Sequence, residues 1–372
     1  MKRLFTLLVA LALCVSLVAL FSSCSDKAAE EDAEWVFEKI TDEQGNTIGC
    51  SATPGTLFSK TAKTVEVPAE SEDGTPVTAV RRMAFLERTG IEEVILPATV
   101  TTLDNFAFSG CTDLKRVTGA GLKIIGNYAF DGCTALNAID LPAGLEIIGI
   151  FAFRDCKAIT SVALPDSLKT FDAAFSNCSG LTTVTFGNIS NIGEGAFYNC
   201  SGISEVTLPE TLIEIRAFAF QNCSKLKTID IPEGVLAVGS GAFKGCDSLT
   251  DATFHSDKIL SLEQTFNGCT ALTNVTLPTA IQTLGKTVFG NCGGLRRIDI
   301  PSTLAFLDQG VFYKCTALKN IQYSGTVAQW NSIKKPDTSE NDNTTTNKIL
   351  AWDEGMRKYA ITCLDGVLEI DT

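Results

Sequence analysis

Apolar positions in this chain fall in one frame that restarts every 22 or 23 residues across most of its length. The clearest stretch runs from Ala196 to Pro232, AFYNCSGISEVTLPETLIEIRAFAFQNCSKLKTIDIP. Ten cysteines mark the frame: Cys111, Cys133, Cys156, Cys178, Cys200, Cys223, Cys246, Cys269, Cys292 and Cys315. A Phe stands three residues before each, from Phe108 to Phe312, and a Leu or Ile three residues after, from Leu114 to Leu318. An earlier copy keeps the spacing without the thiol, at Phe85, Arg88, Ile91, Val94, Leu96 and Pro97. A fixed period of this size means a solenoid, in which each coil buries its apolar edge against the next.

Within a copy the spacing predicts local structure. Counting from the cysteine, positions +3, +6 and +8 are apolar, and +9 is often Pro, as at Pro97, Pro142, Pro209 and Pro301. The period of two from +5 to +8 predicts a short strand with +6 and +8 inward and +5 and +7 outward. Proline, having no N–H, ends it. A second apolar pair follows, such as Leu145/Ile148 or Leu212/Ile215, and then Ala-Phe, expected as one helical turn or a 3₁₀ piece. The residue before the cysteine is Gly, Asn or Asp in every copy but one, which predicts left-handed backbone there, with Lys314 as the exception. Asn177, Asn199 and Asn222 are therefore read as turn residues rather than glycosylation acceptors. The frame thins at Gly119-Ala120, Ala252 and His255, where distorted rungs are expected.

The fold class that follows is a repeat solenoid with short parallel strands, one rung per 22–23 residues, turns on its other faces and a cap at each end. Residues 81–323 carry eleven repeats. Residues 35–80 read as an N-terminal cap with a degenerate rung at Thr64–Pro68. Residues 324–372 read as a C-terminal cap with a mobile loop near 334–348, from which Ile349–Ile370 return as strands.

Before the cap, Lys2 and Arg3 precede an apolar run from Leu4 to Phe21 and small residues at Ser22 and Ser23. Residues 1–23 thus read as a secretory signal. The sequence Leu20-Phe21-Ser22-Ser23-Cys24 resembles a bacterial lipoprotein signal, which implies acylation of Cys24 and membrane attachment through an N-terminal lipid alone. Residues 24–34, polar and acidic, read as a flexible tether.

The repeats themselves resemble the leucine-rich repeats of bacterial BspA-like and treponemal surface proteins, with the pattern L-x-x-I-x-L-P-x-x-L-x-x-I-G-x-x-A-F-x-x-C. The likeness covers Val65 to Tyr323, and the segments Tyr323–Ile333 and Cys363–Gly366 resemble that family's terminal module. The resemblance implies a leucine-rich-repeat fold and a binding or adhesion role at the cell surface, with the outer membrane or cell surface as the expected location.

Charge and inventory narrow the chemistry. The formal net charge is -13, which disfavours nucleic acid and anionic membrane as partners. A single histidine leaves no expected metal site, cofactor or His-based catalytic arrangement, and His255 reads as a turn residue. Fourteen cysteines invite a disulfide framework, but one per rung in a parallel stack keeps Cβ atoms about as far apart as the strands, about 4.8 Å. Buried free thiols are expected instead, and Cys50 and Cys363, in opposite caps, are too distant to pair. No catalytic constellation emerges. The partner-binding candidates are outward +7 residues of the strand face, Asp140, Thr185, Thr207, Asp230, Thr253, Thr276 and Asp299. The function read from sequence is an exported, lipid-anchored, monomeric adhesion protein recognising a protein or glycan. The alternatives are a structural envelope protein with no soluble ligand, or an enzyme with its chemistry in the C-terminal segment.

Overall fold

The computed structural model describes residues 33–335 and 359–370. Cys24, the expected signal and nearly all of the tether lie outside the described residues, as does the expected 334–348 loop from 336 onward. Two compact units are present. In the small one, 33–36 with Pro54–Phe58, the Trp35 ring meets Phe58 edge-on at 5.4 Å. The large one takes in Phe37–Thr53, Ser59–335 and 359–370, and is a parallel β-solenoid.

Its strands stack in two columns, every rung-to-rung pairing parallel. The first column holds the +5 to +8 segments, for example Thr228–Ile231, Asp251–Phe254 and Asn274–Thr276, in the register Ile229↔Ala252↔Val275. Alternate side chains are buried and exposed as the period of two requires: Ile229 and Ile231 point in, Thr228 and Asp230 out. The second column holds two-residue strands such as Glu214–Ile215, paired with Asn191–Ile192 and Ala237–Val238.

The third side of each coil, the Ala-Phe segment, is not the 3₁₀ piece expected. Left-handed residues interrupt it twice per rung. One is the residue before the cysteine, from Gly110 (φ 74°) to Asn291 (φ 62°), and Lys314 joins them at φ 55°. The other, two residues before the Phe, was not anticipated: Met83, Phe106, Tyr128, Phe151, Ala173, Gly195, Phe218, Gly241, Gln264, Thr287 and Gly310 all have φ between 48° and 66°. In most rungs each left-handed residue is third in a hydrogen-bonded β-turn of the kind that requires positive φ there, as in Ala107 N–H to Asp104 O and Cys111 N–H to Phe108 O. The intervening N–H groups are thereby turned toward the next rung. Phe106, Phe108 and Gly110 donate to the carbonyls of Asn127, Ala129 and Asp131 at 2.9, 2.8 and 2.7 Å. The turn side thus makes a rung-to-rung hydrogen-bond ladder of its own, which a 3₁₀ helix, bonded to itself, could not.

Inside, the repeated Phe side chains from Phe85 to Phe312 form one stack, with centroids 4.9 to 5.9 Å apart and rings within 15° of parallel. Every described cysteine is buried and free. From Cys111 to Cys315, each thiol of the repeat donates to the carbonyl of the Phe one rung back, at 2.9 to 3.3 Å. Burial raises the repeat thiols from Cys111 to Cys292, pushing Cys111 and Cys178 up to about 12. Beside them Asn222 donates to Asn199 and Asn199 to Asn177, at 2.7 and 2.9 Å.

The thinned rung at Ala252 is not distorted. Ala252 is buried in a regular four-residue strand, and Phe254, edge-on to Phe266 at 6.1 Å, supplies the missing volume. At the C-terminal end Trp330, on the short helix Val327–Ser332, packs against Tyr323 at 5.2 Å. Tyr359–Cys363 pairs in parallel with Asn320–Tyr323 and turns back as the antiparallel strand Gly366–Ile370. At the other end, Cys50–Ala52 pairs with Val77–Val80, and Arg81 bridges to Glu38 at 2.9 Å.

Asp104 sits in this first part of the stack, half-buried, and desolvation raises its carboxyl to about 6 despite an N–H bond from Arg82 and the nearby Arg81.

Three outcomes test this account. A non-glycine left-handed residue costs roughly 1–2 kcal/mol, and Asn tolerates that region; Lys314→Asn should therefore stabilise the chain by about 0.5–1 kcal/mol in urea melts, and a loss would contradict the strain. Cys223→Ala removes a donor from a buried carbonyl and opens a small void, so it should cost about 1–2 kcal/mol. For Asp104 the folded pKa lies above the unfolded value, so its contribution is present in acid and lost as pH rises through about 6. Asp104→Asn should raise the urea midpoint at pH 8 but not at pH 4; equal gains at both would refute the burial penalty.

Candidate functional site

The outward strand face is built by the same alternation that fills the core. With +6 and +8 committed inward, +5 and +7 are left on a flat, fixed backbone facing solvent. Thr185 stands on Thr183–Phe186, and Asp230, Thr253 and Thr276 lie side by side in successive paired strands. Asp299 on Arg297–Ile300 pairs with Gln322, and Gln322 with Thr362.

The expected continuous ladder is divided. The first column consists of separate sheets, with breaks after Ala138–Ile139, after Thr183–Phe186 and after Asn274–Thr276. Two candidate residues therefore fall outside regular strands: Asp140 lies one residue past Ala138–Ile139, and Thr207 belongs to a rung with no assigned strand in this column. At Asp140 the flanking Ile139 and Leu141 are only half-buried, so that rung is held less firmly inward. Nothing in the structure explains the missing strand at Thr207. The structure brings together Asp230, Thr253 and Thr276, and leaves Asp140, Thr185, Thr207 and Asp299 as separate points on the same side.

Hydroxyls on this side divide into two kinds. At +4, Thr182 and Thr273 donate to the carbonyls of Thr160 and Thr250 one rung back, at 3.0 and 3.2 Å, while the Thr250 hydroxyl, 3.2 Å from Lys227 O, makes its shorter bond to Asp251 at 2.6 Å. Those hydroxyls staple rungs. At +7, the hydroxyls of Thr185, Thr207, Thr253 and Thr276 have no hydrogen-bond partner among the described residues. The carboxylates differ as well. Asp299 is held by Arg297 at 2.9 Å, whereas Asp230 has, among the described residues, only the exposed His255 imidazole at 4.0 Å. Asp251, between Thr228 and Asn274 on the +5 track, is lowered by hydrogen bonds from Thr250 and Asn274.

Sequence reasoning missed a second outward row on the turn side. Phe106 stacks on Tyr128 at 4.8 Å, Tyr128 leans on Phe151 at 5.4 Å, and Arg154 lies over both later rings while gripping Asp131 through two 2.7 Å bonds. The signal was present as an aromatic two residues before the core Phe, but that spacing carries no periodic apolar rule. Among the described residues no cluster of His, Cys, Asp or Glu is placed to hold a metal ion, and no helix is long and apolar enough to cross a membrane. The crevice lined by Lys169, Thr170, Asn191 and Arg216 is water-sized.

No curated protein matches the chain. Among solved structures, a leucine-rich repeat protein from Bacteroides ovatus is 25% identical over 82% of this chain and 89% of its own, with a TM-score of 0.53. A leucine rich cell surface protein from Faecalibacterium prausnitzii is 26% identical over 86% of this chain and 100% of its own, with a TM-score of 0.46. Residues 78–194, 171–263 and 258–335 match the BspA type leucine rich repeat region in six copies. With parallel rungs throughout the matched span, the chain belongs to the BspA type leucine-rich-repeat family.

Proposed function

We propose that this protein is an exported surface protein that binds a protein or glycan through its outward strand face, anchored by lipid at Cys24. Its family supports a binding role, since repeat solenoids characteristically present extended faces to partners. The observation that carries the reading is the division of hydroxyls. The fold spends the +4 hydroxyls internally yet leaves the +7 row of Thr185, Thr207, Thr253 and Thr276 unengaged on a rigid backbone. A preorganised row of donors and acceptors loses little conformational entropy when a partner arrives. Asp140, Asp230 and Asp299 add negative charge along the same side, which favours a partner carrying cationic or hydroxyl groups.

Asp140→Lys, Asp230→Lys and Asp299→Lys combined should reduce attachment of the purified chain to host cells or matrix at least tenfold while leaving the melting temperature unchanged. Full attachment by the triple variant would exclude the strand face. Cys24→Ala should release the chain from the membrane fraction, and protection of the wild-type chain from protease on intact cells would exclude surface display.

A further inference from the structure

The repeat's thiols are placed where they can act only as hydrogen-bond donors. Each S–H is aimed at a Phe carbonyl of the rung behind it, and each thiol is fully buried. Because the rungs repeat by translation, neighbouring sulfurs lie about one strand spacing apart, about 4.8 Å, whereas a disulfide needs about 2.05 Å. Closing that gap would draw two rungs together against the Phe stack, whose rings already touch at 4.9 to 5.9 Å. It would also strip both carbonyls of their second donor. Cysteines two or more rungs apart are farther still. The Cys292 and Cys315 thiols also interact with each other.

We propose that the fold is gated by the oxidation state of this thiol column: the chain enters the solenoid only with its repeat cysteines reduced, and the finished solenoid is closed to disulfide exchange. In the unfolded chain the same cysteines are exposed and their ordinary acidity returns, so a small-molecule disulfide such as oxidised glutathione can react. One cysteine thiolate attacks the glutathione disulfide and releases one glutathione thiolate. A second cysteine thiolate displaces the other glutathione, leaving one protein disulfide and two reduced glutathiones. Any such bridge joins sulfurs that the solenoid holds apart, and so excludes the rungs carrying them. In the folded chain neither step has an accessible nucleophile, because the repeat thiols are fully buried, and burial also disfavours ionisation of thiols such as Cys111 and Cys223.

The test has two arms on the full chain, each read by mass spectrometry of alkylated peptides over the twelve cysteines of the described residues. In the first, native protein is held with oxidised glutathione. The expected result is that repeat thiols stay free and melting is unchanged; disulfides between repeat cysteines at an unchanged melting temperature, at Cys292–Cys315 or elsewhere, overturn the proposal. In the second, protein unfolded in guanidinium is oxidised and the denaturant removed. The oxidised chain should lack native circular dichroism and regain it when dithiothreitol is added, in step with a control kept reduced throughout. An oxidised chain that regains the native spectrum with its bridges intact overturns the proposal. If the reduced control precipitates, cell-free synthesis in reduced and oxidised glutathione replaces this arm, with soluble native chain expected only in the reduced mixture and equal yields overturning it. Neither arm depends on what the strand face binds, so failure here leaves the adhesion reading standing, and the reverse.

Discussion

The structure depends on how the core Phe carbonyl is satisfied. That carbonyl points into a water-free interior, where an unpaired lone pair is costly. It receives the N–H of the cysteine three residues on, as Phe108 does from Cys111 at 3.2 Å, and also the S–H of the next rung's cysteine, Cys133, at 3.1 Å. One donor closes the turn and the other joins the rung to its neighbour. Cysteine suits the position because its side chain is small and nearly apolar yet carries a weak donor. Alanine would lose the bond and leave a small void where the sulfur sits, and a larger apolar residue would displace the Phe stack.

Left-handed residues make that arrangement possible. They reverse the chain twice in a few residues and turn alternate N–H groups along the solenoid, so that the turn side bonds rung to rung as the paired strands do. The cost is backbone strain wherever the residue is not glycine, and the chain accepts it at Thr287 and Phe151 as well as at Asn177. Two kinds of compensation are visible. Phe106, Tyr128 and Phe151 recover contact by stacking on one another, and Asp155, Asn177, Asn199 and Asn222 by bonding side chain to side chain. Gly241 shows the converse: a Cβ there would meet the Phe218 ring, as that ring is placed, at 2.9 Å.

This explains which features could be read from sequence. The period, the Phe and Cys columns and the left-handed turn before each cysteine were legible because each depends on a residue type that few others can replace. Ala252 misled because its neighbour Phe254 made good the volume, and a positional rule counts residues rather than space. The second left-handed column was hidden for a related reason. Tertiary bonding forces that backbone on Met83, Tyr128 and Gln264 alike, so residue identity records the neighbour's packing and not the dihedral angle. The breaks in the strand column at Ile139 and around Thr207 leave no mark beyond slightly weaker inward positions.

The candidate face was legible as a place and not as a recognition code. Inward positions answer to the stack, so their chemistry is dictated and repeats. Outward +7 positions answer to solvent or to a partner, and they vary from Thr185 to Asp230 to Ala163 with no periodic rule. Such freedom separates surface from core: a substitution at +7 alters what the surface offers without reaching the Phe–Cys column, while a substitution in the column alters stability without altering that surface. A solenoid built this way can change its outward face one residue at a time, because each rung holds its backbone in place through bonds that no outward side chain of the +7 row helps to make.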